Sequence, residues 1–261
     1  MIFESAIESN RRTIRVDIRK LQEVSRQLNE LIAVLAGIAR ISDRKDDSLP
    51  LDRLGPSLDR LSQIADGIRE TVNSLRKVDL SGTFRRSRRL VRALAVDAGK
   101  KVELEINEID IELDKHVVDL IDDSLMHAIR NAIDHGLESP DARESAGKSS
   151  VGRITVDARG IGSDVVISIS DDGQGLDRNK IVRKAIELGL ISESQADLPE
   201  GEIWRLTLLP GFSTVDRVTL LSGRGVGMQA IQENMAKING KVEIRSQSGK
   251  GTTVILRIPQ V

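Results

Sequence analysis

The feature that most constrains this chain is a leucine seam. Ile14, Leu21, Leu28 and Leu35 recur every seven residues, and Val24, Leu31 and Ile38 form a second row three positions on. After RISDRKDDSLP, where Pro50 stops or restarts a helix, Leu54, Leu61, Ile68 and Leu75 repeat the pattern with Leu58, Ala65 and Val72 as companions. A seven-residue apolar repeat predicts helices that pack along one stripe. Two long helices joined by a short polar turn predict an antiparallel hairpin over residues 1–78. A second hairpin from another copy would cover the rest of the seam, giving a dimeric four-helix bundle. The alternative is a coiled-coil spacer with no symmetry.

From Asp79 to residue 261 the texture changes to alternating helices and strands. FRRSRRLVRALAVDAG reads as a helix and KVELEINEI as a short strand. Asp114 caps a helix running to Gly136. GRITVDARG and SDVVISISD alternate with period two, as paired strands do. DRNKIVRKAIELG and VGMQAIQENMAKING read as helices, and GKVEIRSQSGKGTTVILRIP as two strands around a glycine-rich turn. Strands beside one another with helices over them predict an α/β two-layer sandwich. The whole chain is then α+β, a helical hairpin followed by that sandwich.

Composition removes several classes of function. With 39 Lys+Arg against 40 Asp+Glu the net charge is −1, so nothing draws the chain as a whole to nucleic acid. The one dense basic run, Arg85, Arg86, Arg88, Arg89 and Arg92, has no interleaved aromatics to stack on bases and reads as a solvated, acid-paired helix face. There is no cysteine, hence no disulfide, thiolate zinc site or cysteine nucleophile. No stretch approaches 18 apolar residues and the N-terminus does not read as a signal peptide, so a cytoplasmic protein without membrane insertion is expected.

Three segments carry chemistry. His127, Asn131 and His135 are four residues apart, which would stack them on one helical face opposite the apolar stripe Leu125, Ile129 and Ile133. An amide oxygen between imidazoles suits a magnesium–phosphate unit. A solvated face or a zinc site are the other readings. Next, Asp171 extends the apolar row Val165, Ile167 and Ile169, and is followed by Gly173 and Gly175. A carboxylate there needs a donor, such as the exocyclic amine of adenine, and the glycines would let the base approach the backbone. An ordinary Asp-Gly turn is the alternative. Last, SGRGVGM places Gly223, Gly225 and Gly227 ahead of a helix, where backbone N–H groups can cradle an anion.

In this order, and with Gly251-Thr252 in a last strand pair, these signals resemble the nucleotide boxes of GHKL-type ATPases. HAIRNAIDHGLE, DDGQGLDRNKIVRKAIELGLI and LLPGFSTVDRVTLLSGRGVGM are similar to the kinase domain of CheA-like chemotaxis histidine kinases. RVDIRKLQEVSRQLNELI is similar to the start of their dimerisation domain. The resemblance implies ATP and Mg2+ as cofactors and roles for particular residues. Asn131 would hold Mg2+ with His135 beside it, and His127 would take the acid/base place. Asp171 would bind the adenine amine, with Gly173, Gly175 and Thr252 around the ring. Lys180 would reach the phosphates, Phe212 would lie in the mobile lid, and Gly223, Gly225 and Gly227 would flank the triphosphate.

Such kinases usually carry a phosphoacceptor domain and a coupling domain, and neither is found in these 261 residues. Residues 1–78 contain no histidine, and the three present are His116, His127 and His135. The expected function is therefore a dimeric ATP-dependent protein-histidine kinase module that phosphorylates a histidine on a separate phosphotransfer protein, with a response regulator downstream. The other readings are a GHKL switch that regulates by binding, of anti-sigma or scaffold type, and a fragment of a larger CheA-like kinase.

Overall fold

The computed structural model describes residues 18–42, 51–107, 111–212 and 227–259, with backbone alone at 40–42 and 51–54. Two compact units are present, 1–77 and 78–261. In the first, α1 (Ile18–Ser42) and α2 (Leu51–Leu75) lie antiparallel. Lys20 Nζ donates to the Ser74 carbonyl at 2.9 Å, Thr71 Oγ1 to Gln27 Oε1 at 3.3 Å, and Arg60 pairs with Glu30 further along.

The pair divides the heptad rows. Val24, Leu31 and Ile38 on α1, and Leu61, Ile64 and Ile68 on α2, are wholly or partly buried. Leu21, Leu28 and Leu35 remain 49%, 44% and 49% exposed, and Leu58 and Val72 are open as well. One pair of helices thus covers one row of each and leaves the other bare. Ile14 lies outside the described residues.

The second unit begins with β1 (Lys77–Asp79), which pairs with β3 (Glu112–Asp114). Its body is a five-stranded sheet in the order β2 (Lys101–Asn107), β4 (Val151–Ile161), β5 (Asp164–Asp171), β7 (Gly251–Pro259), β6 (Lys241–Gln247). The β2–β4 pair is parallel and the other three are antiparallel. Alternation sends Ile154, Val156, Val165, Ile167, Leu256 and Ile258 to one face, each at most 1% exposed. Helices α3 (Ser81–Asp97), α4 (Lys115–Asn131) and α8 (Gly227–Ala236) supply residues to the core on that face, with Phe84, Leu125, Ile129 and Met235 among them. The opposite face carries polar pairs, Ser170 with Thr253 and Arg257 with Asp164. This is the two-layer α/β arrangement that the period-two strands imply.

A second cluster joins α6 (Arg178–Glu187) and α7 (Glu200–Leu206) to the edge strand β6 through Ile181, Ile203, Trp204, Phe212 and Ile244. On α3 the arginine face is solvated, but only Arg86 has an acidic partner among the described residues, Asp122 at 2.8 Å. The other four guanidinium groups face water, so the expectation of an acid-paired face fails. No helix among the described residues is long and apolar enough to cross a membrane.

Candidate nucleotide site

α4 brings the first group. Asp114 caps it by accepting the His116 N–H at 2.8 Å, and the apolar stripe Leu125, Ile129 and Ile133 is fully buried against the sheet. The α-helix ends at Asn131, and Ala132–Gly136 form a π turn closed by Leu137 N–H to the Ala132 carbonyl at 2.7 Å. His127, Asn131 and His135 thus follow one another across the junction of the α-helix and the π turn. Lys100 donates to the carbonyls of Ile133 and Asp134 in this turn, and burial pushes its pKa down against the pull of Asp134 and Glu138.

Asn131 is half-buried, and its Nδ2 is buried with no hydrogen-bond partner among the described residues. A Cβ on Gly227 would sit 2.8 Å from Asn131 Oδ1, so the first residue of α8 packs directly on this amide. An unsatisfied buried amide is costly unless a ligand completes it. His127 is half-buried on the same helix and His135 is exposed.

Asp171 ends β5 next to this group. Its Oδ1 accepts the Gly173 N–H at 2.9 Å and the Thr252 N–H at 3.3 Å, while Oδ2 has no partner among the described residues. Burial pushes the carboxyl up to about 6, although both backbone donors pull it down, and Asp172 and Glu138 add to the rise. Close backbone approach explains the glycines here. A Cβ at Gly173 would lie 2.1 Å from the Gly136 carbonyl oxygen, and one at Gly251, where φ is +110°, would lie 1.9 Å from that of Asp171. The loop after Asp171 is therefore clamped between the π turn and β7.

Beside it lies a cleft of about 990 Å³ whose walls include His135, Gln174, Gly175, Lys180 and Trp204. Lys180 stands in the first turn of α6, which Asp177 caps at 3.0 Å, and its ammonium is exposed with no ion pair among the described residues. Asn131 and Asp171 do not line this cleft. Phe212 is 7% exposed and packed into the second core cluster. A large apolar ring with Ile181, Trp204 and Ile244 at hand gains more from burial than from facing a polar cleft. Gly223 and Gly225 lie outside the described residues.

Reasoning from sequence passed over Glu138, Arg143 and Lys148. Arg143 is 2% exposed and paired with Glu138 and Asp172, and Lys148 bonds to the Asp172 and Gly173 carbonyls. ESPDARESAGKSS has no apolar period to signal this. Its one readable cue is Ser139-Pro140, a cap and first-turn proline opening α5 (Pro140–Ser145).

Among the described residues no three His, Cys, Asp or Glu converge to hold a metal. The unpaired Asn131 Nδ2 can only donate, as to a phosphate oxygen, while its Oδ1 could meet an ion that keeps waters and phosphate oxygens, which is the habit of Mg2+. An orphaned amide, an open carboxylate oxygen and glycines that a side chain would obstruct together fit a magnesium nucleotide.

The two-layer fold is of the ATPase type. The model of the histidine kinase-, DNA gyrase B-, and HSP90-like ATPase family matches residues 120–261, and the chain belongs to that family. It is similar to the chemotaxis protein CheA of Bacillus subtilis, 35% identical over 249 residues, covering 95% of this chain and 36% of that protein. It is likewise similar to CheA of Klebsiella aerogenes, 39% identical over 248 residues, 95% of this chain and 37% of that one. The sensor histidine kinase CheAY of Helicobacter pylori is 38% identical over 252 residues, 95% of this chain and 31% of its own length. The chain thus spans roughly a third of the relatives it matches.

Proposed function

We propose that the chain is an ATP-dependent protein-histidine kinase module of a chemotaxis-like two-component system. It works as a homodimer and transfers the γ-phosphoryl group to a histidine on a separate phosphotransfer protein, which then serves a response regulator. The observation that supports this reading is an Asp171 carboxylate that keeps one oxygen open and packs against Gly136, in the π turn that follows the unsatisfied buried Asn131 amide.

In this reading Asp171 Oδ2 accepts the adenine amine. Gly173, Gly175 and Thr252 stand around the ring, and Gly223, Gly225 and Gly227 flank the triphosphate. Asn131 supplies an oxygen to Mg2+ with His135 beside it, Lys180 reaches the phosphates, and His127 serves as acid or base. Bound Mg2+ would neutralise charge on the phosphates, and the chain's own groups would position them. The bare rows Leu21, Leu28, Leu35 and Leu58, Val72 support a four-helix dimer over residues 1–78, with the kinase domain over 79–261. Calorimetric titration of ATP with and without Mg2+ tests the site. The reading requires binding that Mg2+ strengthens and that Asn131→Ala reduces to the metal-free level. No ATP binding by the wild type would overturn it.

A further inference from the structure

Among the described residues Arg143 is the one fully buried charged side chain. Its Nε donates to the Ser149 carbonyl at 2.7 Å, Nη1 to Glu138 Oε2 at 3.2 Å and the Asp172 carbonyl at 3.3 Å, and Nη2 to Asp172 Oδ2 at 2.8 Å. Lys148 uses all three ammonium donors, on Glu138 Oε1 at 2.8 Å, the Asp172 carbonyl at 3.0 Å and the Gly173 carbonyl at 2.7 Å. Two cations therefore hold two consecutive carbonyls of the loop that follows Asp171.

A trans peptide points its C=O and its N–H in opposite directions. With the Asp172 carbonyl turned to Lys148 and Arg143, the Gly173 N–H points away from them, into Asp171 Oδ1 at 2.9 Å. With the Gly173 carbonyl turned to Lys148, the Gln174 N–H points to the Gly136 carbonyl at 2.9 Å, which ties the loop to the π turn. Turning the first peptide over would aim the Asp172 carbonyl at the Asp171 carboxylate and repel it. Glu138 balances the two cations. Burial works against its charge, yet Lys148 and then Arg143 hold its pKa below the ordinary value.

We propose that Lys148, braced by Arg143, is a positioning residue for purine selectivity. It sets the peptide planes of Asp172-Gly173-Gln174 so that Asp171 offers one occupied and one open oxygen to a 6-amino group. This rests on the reading that the site takes ATP. A cluster that only held the fold would weaken every nucleotide alike, whereas a cluster that presets Asp171 acts on the amine.

The experiment titrates the full chain with ATP and with inosine triphosphate, which carries a carbonyl in place of the amine, under saturating Mg2+. Wild type is expected to prefer ATP by about tenfold or more, as a site built around a hydrogen bond does. Lys148→Met should cut that preference at least about threefold, whereas Lys148→Arg, which keeps the cation and its donors, should retain it. An unchanged preference in folded Lys148→Met, with both nucleotides weakened equally, would overturn the assignment. Amide hydrogen exchange on the wild type gives a check that needs no variant. Slow exchange at Gly173 and Gln174 supports the locked peptides, and rapid exchange at either overturns them. A wild type that bound neither nucleotide would overturn the ATP reading itself, an outcome distinct from lost preference.

Discussion

Replacing Asp171 by Asn should stabilise the nucleotide-free protein while weakening its hold on ATP. The free carboxyl titrates near 6, and its chief cause is burial. An unfolded Asp titrates near 3.9. Between those values the folded state binds more protons than the unfolded one, so stability falls as pH rises through that window, and above about pH 6 the full cost is present. Two pH units correspond to about 3 kcal/mol, and the partial opening of the site reduces this to roughly 1–3 kcal/mol. Asn keeps an oxygen for the Gly173 and Thr252 N–H groups and carries no charge. Its melting temperature at pH 8 should exceed that of wild type by about 2–8 °C, and the gain should vanish towards pH 4. The same change aims an amide N–H₂ at the adenine amine, so ATP binding should weaken about ten- to a hundred-fold through loss of a charge-assisted hydrogen bond. Thermal unfolding from pH 4 to 8 and calorimetric titration at pH 8 read the two effects. A stability gain independent of pH, or unchanged ATP affinity, would refute the reasoning.

Three further outcomes follow from the same geometry. Asn131→Ala should cost about 1.5–3 kcal/mol of Mg2+-ATP affinity and little of the metal-free affinity, read by calorimetry. Replacing Leu21, Leu28 and Leu35 together by Glu should convert a dimer to a monomer in light scattering, because each large apolar side chain kept from water contributes on the order of 1.5–3 kcal/mol. A wild type that is already monomeric would contradict this. Trp204, packed in one cluster with Phe212 and part of the cleft wall, should change its fluorescence on Mg2+-ATP binding, read by titration.

The parts of the molecule legible in sequence are those with a period. Alternation along Val165, Ile167 and Ile169 marks β5 and places Asp171 at its end, and the stripe Leu125, Ile129 and Ile133 marks the buried side of α4. The seam was only half informative, because a heptad row records that a helix has an apolar edge, not which of two rows its own neighbour covers. The π turn after Asn131 has no signature in a single sequence, since it depends on Leu137 bonding back to Ala132 across the end of the helix. The burial of Phe212 goes unread in sequence because the lid phrase around it speaks of function while the ring answers to burial. Arg143 and Lys148 were missed for the opposite reason. Their polar surroundings look solvated, and only the fold returns that loop onto the carbonyls after Asp171.

Phosphoryl transfer tests the central claim most directly. Transfer to imidazole needs the ring nitrogen in line and within about 3–3.5 Å of the phosphorus. His127 and His135 belong to the proposed site, and His116 lies eleven residues before His127, roughly 16 Å along the helix. The chain should therefore be incubated with ATP labelled on the γ-phosphate, first alone and then with histidine-bearing helical phosphotransfer proteins. The account predicts no label on the chain by itself, and acid-labile, base-stable label on a partner. Stoichiometric labelling of the lone chain, or a failure to label any such partner despite ATP binding, would contradict it.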